Sequence, residues 1–403
     1  MVKHSRVRRT LLSLLVVLLC GSYVAYTLTQ PLAALAPRVT FRGSRPAAAV
    51  ALDWPVYGES AVGAVGYGVL TTHGAETPLP TASTIKVLTA LAVLQRQPLT
   101  SGQQGPAITI TAADVASYTK YVAEDGSVVR VVAGEQLSEY QALQALLLPS
   151  ANNIAETLAR WAFGSIAAYT TYANTYARQL GMTSTAVTDP SGFLSSTTST
   201  PRDLTLLGEA ALANPVLAAI VAQPSAIIPV QGTIYNVNFL LGQEGLIGIK
   251  TGNNDDDLGC FLFAATRPVG SRSVTIVGAI MDAPNLNTAL TDALPLIRSA
   301  AGSFSDVTVI RAGDQIGTYQ SPWQGTIRAV AAKTQSALLW NGAALTTTTV
   351  LHTVDIPAKS QQAVGTLTIK NAATSGVTTV PVVLAHAAGT PGILWRLTHP
   401  FDL

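Results

Sequence analysis

The chain has 403 residues, 48% of them apolar and only 11% charged, so it is not disordered and can bury a sizeable core. Its length suits two domains better than one, because single cores stop growing near roughly 250–300 residues. The net charge of +2 conceals Lys3, Arg6, Arg8 and Arg9 ahead of the first acidic residue; removing that +4 leaves −2 for the rest, which excludes a nucleic-acid-binding face.

Residues 1–9 read as a cytoplasmic basic segment and 10–29 as a transmembrane signal anchor. Leu11 to Leu28 carries no charge and, at about 1.5 Å rise per residue, is just long enough for a hydrocarbon core of roughly 30 Å. Basic flanks stay cytoplasmic, so everything beyond about residue 30 is expected outside. Ala34-Leu35-Ala36 has the small residues of a cleavage site, yet Pro37 would follow the cut. Cys20 is preceded by bulky Leu19, where a lipoprotein signal needs a small residue. An uncleaved anchor therefore fits better than a signal peptide, whose removal would leave the protein secreted. Residues 30–46, with Pro31, Pro37 and Pro46, read as a linker.

A mixed domain is expected over 47–302. Ala61 to Thr72 reads as a strand, and a helix starts at Thr81 or Ser83 and runs to Pro98. Helices follow over Leu137–Leu148, Asn153–Phe163 and Tyr169–Leu180, the last stopped by Gly181. Leu246 to Thr251 is a short apolar strand with a turn over Gly252–Asp257. The continuous apolar runs Cys260–Thr266 and Ser273–Met281 suit strands covered on both faces. Asn287 to Ala301 reads as a helix despite Pro295. That order predicts an α+β domain with helices against an antiparallel sheet.

Beyond it, the short β-type runs Val307–Ile310, Thr326–Ala332, Thr346–Thr353, Gly365–Lys370 and Val377–Leu384 predict a small all-β domain over 303–390, with a tail over 391–403. Cys20 and Cys260 are too differently placed to pair, and the five histidines show no metal-ligand spacing.

Three short peptides carry chemistry. Ser83-Thr84-Ile85-Lys86 at a helix start puts a hydroxyl near unsatisfied backbone N–H groups, with an amine three residues on along the same face. A serine hydroxyl is a weak nucleophile until a neutral amine takes its proton, which requires a lysine of lowered pKa; burial and a second cation, such as Lys250, would lower it. Ser150-Ala151-Asn152, after Pro149, can relay a proton through Ser150 and hold a substrate amide through Asn152; read alone, it is an N-cap. Lys250-Thr251-Gly252 ends an apolar strand. There Lys250 and Thr251 can take a carboxylate while Gly252 admits a close backbone approach. The backbone N–H groups of Ser83 and Asn253 are the candidate oxyanion donors.

With these motifs in this order, the chain resembles the D-alanyl-D-alanine carboxypeptidases, the low-molecular-mass penicillin-binding proteins of peptidase family S11. The resemblance extends to Leu180-Gly181-Met182, Asp189-Pro190-Ser191-Gly192-Phe193-Leu194, Ser199-Thr200-Pro201-Arg202-Asp203-Leu204 and Gly259-Cys260-Phe261-Leu262-Phe263-Ala264-Ala265. It implies a β-lactamase/transpeptidase-like domain followed by the small all-β domain. It implies Ser83 as acylated nucleophile, Lys86 as general base, Ser150 and Asn152 for relay and positioning, and Lys250 and Thr251 for the substrate carboxylate. The implied substrate is a peptidoglycan pentapeptide stem that loses its terminal D-alanine, with β-lactams as covalent inhibitors and no metal or organic cofactor. Two features depart from the family: Asn254 is followed by three aspartates, Asp255–Asp257, in a turn beside the carboxylate site, and the C-terminal tail is short. A penicillin-sensing protein that turns over slowly is one alternative. A serine β-lactamase is the other, although the chain has no Glu-x-x-Leu-Asn loop to activate water.

Overall fold

A computed structural model describes residues 2–43, 51–253, 258–371, 374 and 376–401. Two compact units divide the chain: Ala48–Ser305, and a second composed of Met1–Ala47 with Asp306–Leu403.

The first unit is built on a five-stranded antiparallel sheet whose strands run in the order Leu246–Asn253, Gly259–Val269, Arg272–Ala283, Glu59–Ala64, Gly68–His73. The expected single strand over Ala61–Thr72 is instead a hairpin. Gly66 and Gly68 have φ of 83° and 68°, a left-handed backbone open to glycine, and they turn the apolar run back on itself between Ala64 and Gly68. Both faces of the sheet are covered, which is why its central strands read as unbroken apolar runs. Cys260, Leu262 and Ala264 join Ile85, Leu88, Leu143 and Leu158 in a helical core. The alternate residues Phe261 and Phe263 are fully buried on the other side, and helix Leu286–Gly302 packs against the same strand.

The helical layer consists of Lys86–Arg96, Ala112–Ala123, Glu139–Leu147, Asn152–Phe163, Ile166–Gln179, Pro201–Ala213 and Pro215–Val221. Ala112–Ala123, Pro201–Ala213 and Pro215–Val221 are additions to the helices expected from apolar periodicity. Among the described residues, Leu246–Asn253 lies at the edge of the sheet and pairs only with Gly259–Val269, with Lys250 opposite Leu262 and Gly252 opposite Cys260. Its free edge is therefore available to an extended peptide.

The second unit holds a six-stranded antiparallel sheet in the order Pro37–Val39, Gln315–Ser321, Gly325–Ala331, Val377–Leu384, Ala363–Asn371, Leu345–Leu351. Its core includes Ile316, Tyr319, Leu367, Val380 and Val382. Within the expected linker over 30–46, residues 37–39 form an edge strand of this sheet. Pro37, Arg38 and Val39 pair with Tyr319, Thr318 and Gly317, and buried Leu35 exchanges two backbone hydrogen bonds with Val354 at 2.9 and 3.1 Å. An edge strand tolerates Pro37 because one row of its N–H groups bonds to nothing in the sheet. Of the prolines in this stretch, Pro37 marks the start of that edge strand. The N-terminal helix Val2–Thr29 belongs to the same unit.

Candidate active site

A 3-10 turn, Ala82–Ile85, precedes helix Lys86–Arg96 and carries Ser83 and Lys86 to the centre of the helical layer. Lys86 is completely buried, and its Nζ lies 2.6 Å from Ser83 Oγ, 2.7 Å from Asn152 Oδ1 and 3.0 Å from the carbonyl oxygen of Ser191. Burial, and then the charge of Lys250, holds this amine well below the ordinary lysine range, while Asp189 pulls the other way. A neutral amine has two N–H donors and one lone pair. The Asn152 and Ser191 oxygens can only accept, so they take both donors and leave the lone pair directed at the Ser83 hydroxyl. With the amine neutral, this geometry would let Lys86 accept a proton from Ser83 while donating to the other two oxygens.

Asn152 opens helix Asn152–Phe163 at its first turn, and its backbone N–H donates to Ser127 O at 2.8 Å. The N-cap residue is Ala151, not Ser150, and no side chain caps this helix. Ser150 Oγ is buried without a hydrogen-bond partner among the described residues, on a residue with φ of 69°. An unsatisfied buried hydroxyl is costly, by about 1–3 kcal/mol, and a left-handed backbone on a residue with a Cβ adds strain. Ala82, immediately before Ser83, has φ of 44°. Two strained residues thus sit directly at the two serines, a placement that suits function better than stability.

The loop after Thr188 completes the environment of Lys86. Asp189 Oδ2 accepts from the N–H and Oγ of Ser191 and from the N–H of Phe193, and Asp189 Oδ1 accepts from Thr197 Oγ1. Wrapped around that carboxylate, the loop presents the Ser191 carbonyl to Lys86. Ser191 and Asp189 are therefore positioning residues that the three motifs do not reveal; the Asp-Pro-Ser-Gly-Phe string was their only sequence signal. Gly192 has φ of 69°, and a Cβ there would come within 1.9 Å of Ala82 O. Gly192→Ala should therefore destabilise the unit by about 2–4 kcal/mol and displace the turn carrying Ser83. A denaturant midpoint unchanged from wild type would contradict this.

From the other side, the edge strand approaches Ser83 closely. A Cβ on Gly252 would lie 2.8 Å from Ser83 N and 3.3 Å from Thr84 N, so only glycine lets the strand reach this turn. Lys250 and Thr251 are buried, and Lys250 Nζ donates to Thr251 O at 2.8 Å. Burial lowers the Lys250 amine to about 7. Asn253 ends the strand, and Asn254 with Asp255–Asp257 lies outside the described residues. Of the sequence-derived set, Ser83, Lys86 and Asn152 are linked by direct hydrogen bonds, Lys250 reaches Lys86 through its charge, Gly252 faces Ser83, and Ser150 lies two residues before Asn152 with its hydroxyl unengaged.

A family model described as D-alanyl-D-alanine carboxypeptidase (Peptidase_S11) matches residues 62–285, more than half of the chain. A D-alanyl-D-alanine carboxypeptidase of Mycobacterium tuberculosis is 38% identical over 204 residues, covering 49% of this chain and 65% of its own length, just under two thirds. Another, from Streptomyces sp. strain K15, is 30% identical over 246 residues, covering 57% of this chain and 81% of its own. Among solved structures, the Streptomyces K15 DD-transpeptidase is similar with a TM-score of 0.53 and 26% identity, covering 63% of this chain and 97% of its own. Penicillin binding protein 5 from Haemophilus influenzae covers 88% of this chain and 100% of its own with a TM-score of 0.57; at 16% identity that likeness is one of fold.

Proposed function

Because the chain belongs to the Peptidase_S11 family of D-alanyl-D-alanine carboxypeptidases, we propose that it removes the terminal D-alanine from peptidoglycan pentapeptide stems through an acyl-enzyme on Ser83. The observation that carries this reading is the single amine of Lys86 bonded at once to Ser83, Asn152 and Ser191. Ser83 Oγ attacks the carbonyl of the penultimate D-alanine while its proton passes to the Lys86 lone pair. The N–H groups of Ser83 and Asn253 hold the developing oxyanion. Ser150, its hydroxyl free of other bonds, carries the proton on to the departing D-alanine nitrogen. Water then hydrolyses the ester. Asn152 orients both Lys86 and the acyl amide, and Lys250 with Thr251 receives the terminal carboxylate. β-Lactams would acylate the same serine.

Incubating the protein with a diacyl-D-Ala-D-Ala peptide should release D-alanine, and a labelled penicillin should attach covalently. Labelling without release would favour a sensor, whereas rapid turnover of a chromogenic cephalosporin would favour a lactamase. The solved relative titled a DD-transpeptidase supports a second use of the acyl-enzyme, transfer to an amine. An added amine acceptor that captures the acyl group would reveal it.

The two lysines set the pH dependence. Lys86 must be neutral, so kcat/KM should fall as pH drops below its lowered pKa. Lys250 must be charged to attract a carboxylate, so kcat/KM should also fall as pH rises above about 7, where the buried amine loses its proton. Lys250→Arg keeps the cation at all relevant pH and should move the alkaline limb upward. A profile whose alkaline limb stays in place would refute that role for Lys250.

The helix Val2–Thr29 would tether the enzyme, with Arg6, Arg8 and Arg9 on the cytoplasmic side and the catalytic unit outside.

A further inference from the structure

We propose that the C-terminal helix Ile393–Thr398 is a lipid-contacting collar seated on the outer end of the N-terminal helix, so that the last turn of that helix and the C-terminal helix meet the outer leaflet at one place. The proposal rests on reading Val2–Thr29 as a membrane span. Between Arg6 and Thr29 every residue is exposed except Thr27, so the helix is bare along its length and covered at one turn. The cover is the C-terminal helix. Arg396 Nη1 donates to the carbonyls of Thr27, Leu28 and Gln30 at 3.3, 2.9 and 3.2 Å, and Tyr23 OH donates to Leu397 O at 2.6 Å. The last carbonyls of any helix lack intrahelical partners and carry its negative dipole end, so a guanidinium there is a C-cap supplied from 366 residues away.

That contact fixes the depth of the collar. The apolar segment Arg6–Thr29 has 24 residues, about 36 Å of helix against a hydrocarbon core of roughly 30 Å. Its last turn therefore reaches the headgroups, and Arg396 with it. The side chains that the collar leaves uncovered are not those of a water-facing helix: Ile393 is 67% exposed, Leu394 76%, and Phe401 just beyond is 95% exposed. Half-buried Trp395 stacks on His399 and meets Trp323 edge-on, with centroids 4.6 and 5.4 Å apart, and Trp323 Nε1 donates to Gly389 O. Tryptophans with one apolar side and one bonded N–H are the side chains that collect at a bilayer interface. Six residues are too few to anchor a protein alone, and clasping the span supplies what the collar lacks in area.

The test uses the full chain with Cys20→Ser, leaving Cys260 buried. An environment-sensitive fluorophore is placed at Leu394→Cys, or at Val350→Cys on an exposed strand position of the same unit, in nanodiscs of phosphatidylcholine and phosphatidylglycerol. A shallow doxyl-labelled lipid should quench the probe at 394 several-fold more strongly than at 350. Arg396→Ala should reduce that quenching by at least half. Equal weak quenching at both positions, with the protein still resisting a carbonate wash, would overturn the collar alone. Loss of the protein in the wash would overturn the span and the collar together, while D-alanine release would test the catalytic reading separately. Quenching or a blue shift seen only in discs holding two chains would assign the face to a second copy and overturn the lipid assignment.

Discussion

Replacing Ser83 by alanine should abolish D-alanine release and covalent penicillin labelling while leaving the fold intact. The substitution removes one hydroxyl whose hydrogen bond is to Lys86 Nζ, so the stability change should be only about 1 kcal/mol. Loss of the nucleophile removes the acyl-enzyme route altogether, and kcat/KM should fall by at least about 10⁴-fold. Intact-protein mass after exposure to a β-lactam gives the sharpest reading. An adduct retained by the Ser83→Ala protein would mean that another side chain is acylated.

The second large effect is expected at Lys86. Lys86→Ala should lower kcat/KM by about 10²–10⁴-fold, the usual span for a lost general base. Lys86→Arg is the informative companion. A guanidinium introduces a positive charge and supplies donors to Asn152 and Ser191 but has no lone pair to accept a proton near neutral pH. If the amine acts as a base, arginine should be about as inactive as alanine. Substantial recovery with arginine would show that the site needs a cation there, and the neutral-amine account would fail. Thermal unfolding of both variants separates a chemical defect from a folding one, since Lys86 is wholly buried and its removal leaves two oxygens without donors.

Much of the catalytic unit was legible because its signals are local. The runs Cys260–Thr266 and Ser273–Met281 lie within strands Gly259–Val269 and Arg272–Ala283, since a strand covered on both faces has no reason to alternate. Helix Ala112–Ala123 escaped notice because few of its residues face the core. Its start was nevertheless written in the capping box of Thr111 and Asp114, a polar signal that apolar periodicity does not detect. The hairpin inside Ala61–Thr72 was hidden by the side chains around Gly66, which are as apolar as those of a strand. The paired edge strand inside the expected linker was hidden by Pro37, which disfavours a central strand but not this position.

At the site, residue identities and their order along the chain came from the sequence alone: the nucleophile, the two amines and the candidate relay all lie within three tripeptide or tetrapeptide motifs. Tertiary structure decided what those groups can do. Burial lowers the proton affinity of Lys86, the carbonyl of Ser191 occupies one of its donors, and the backbone at Ser150 withholds the hydroxyl from the capping role that its position suggested. Each of these depends on which atoms surround a group and how much water is excluded, and those are properties of long-range packing. A chain spells out its reactive groups locally, but their proton affinities and free lone pairs exist only once distant segments close around them.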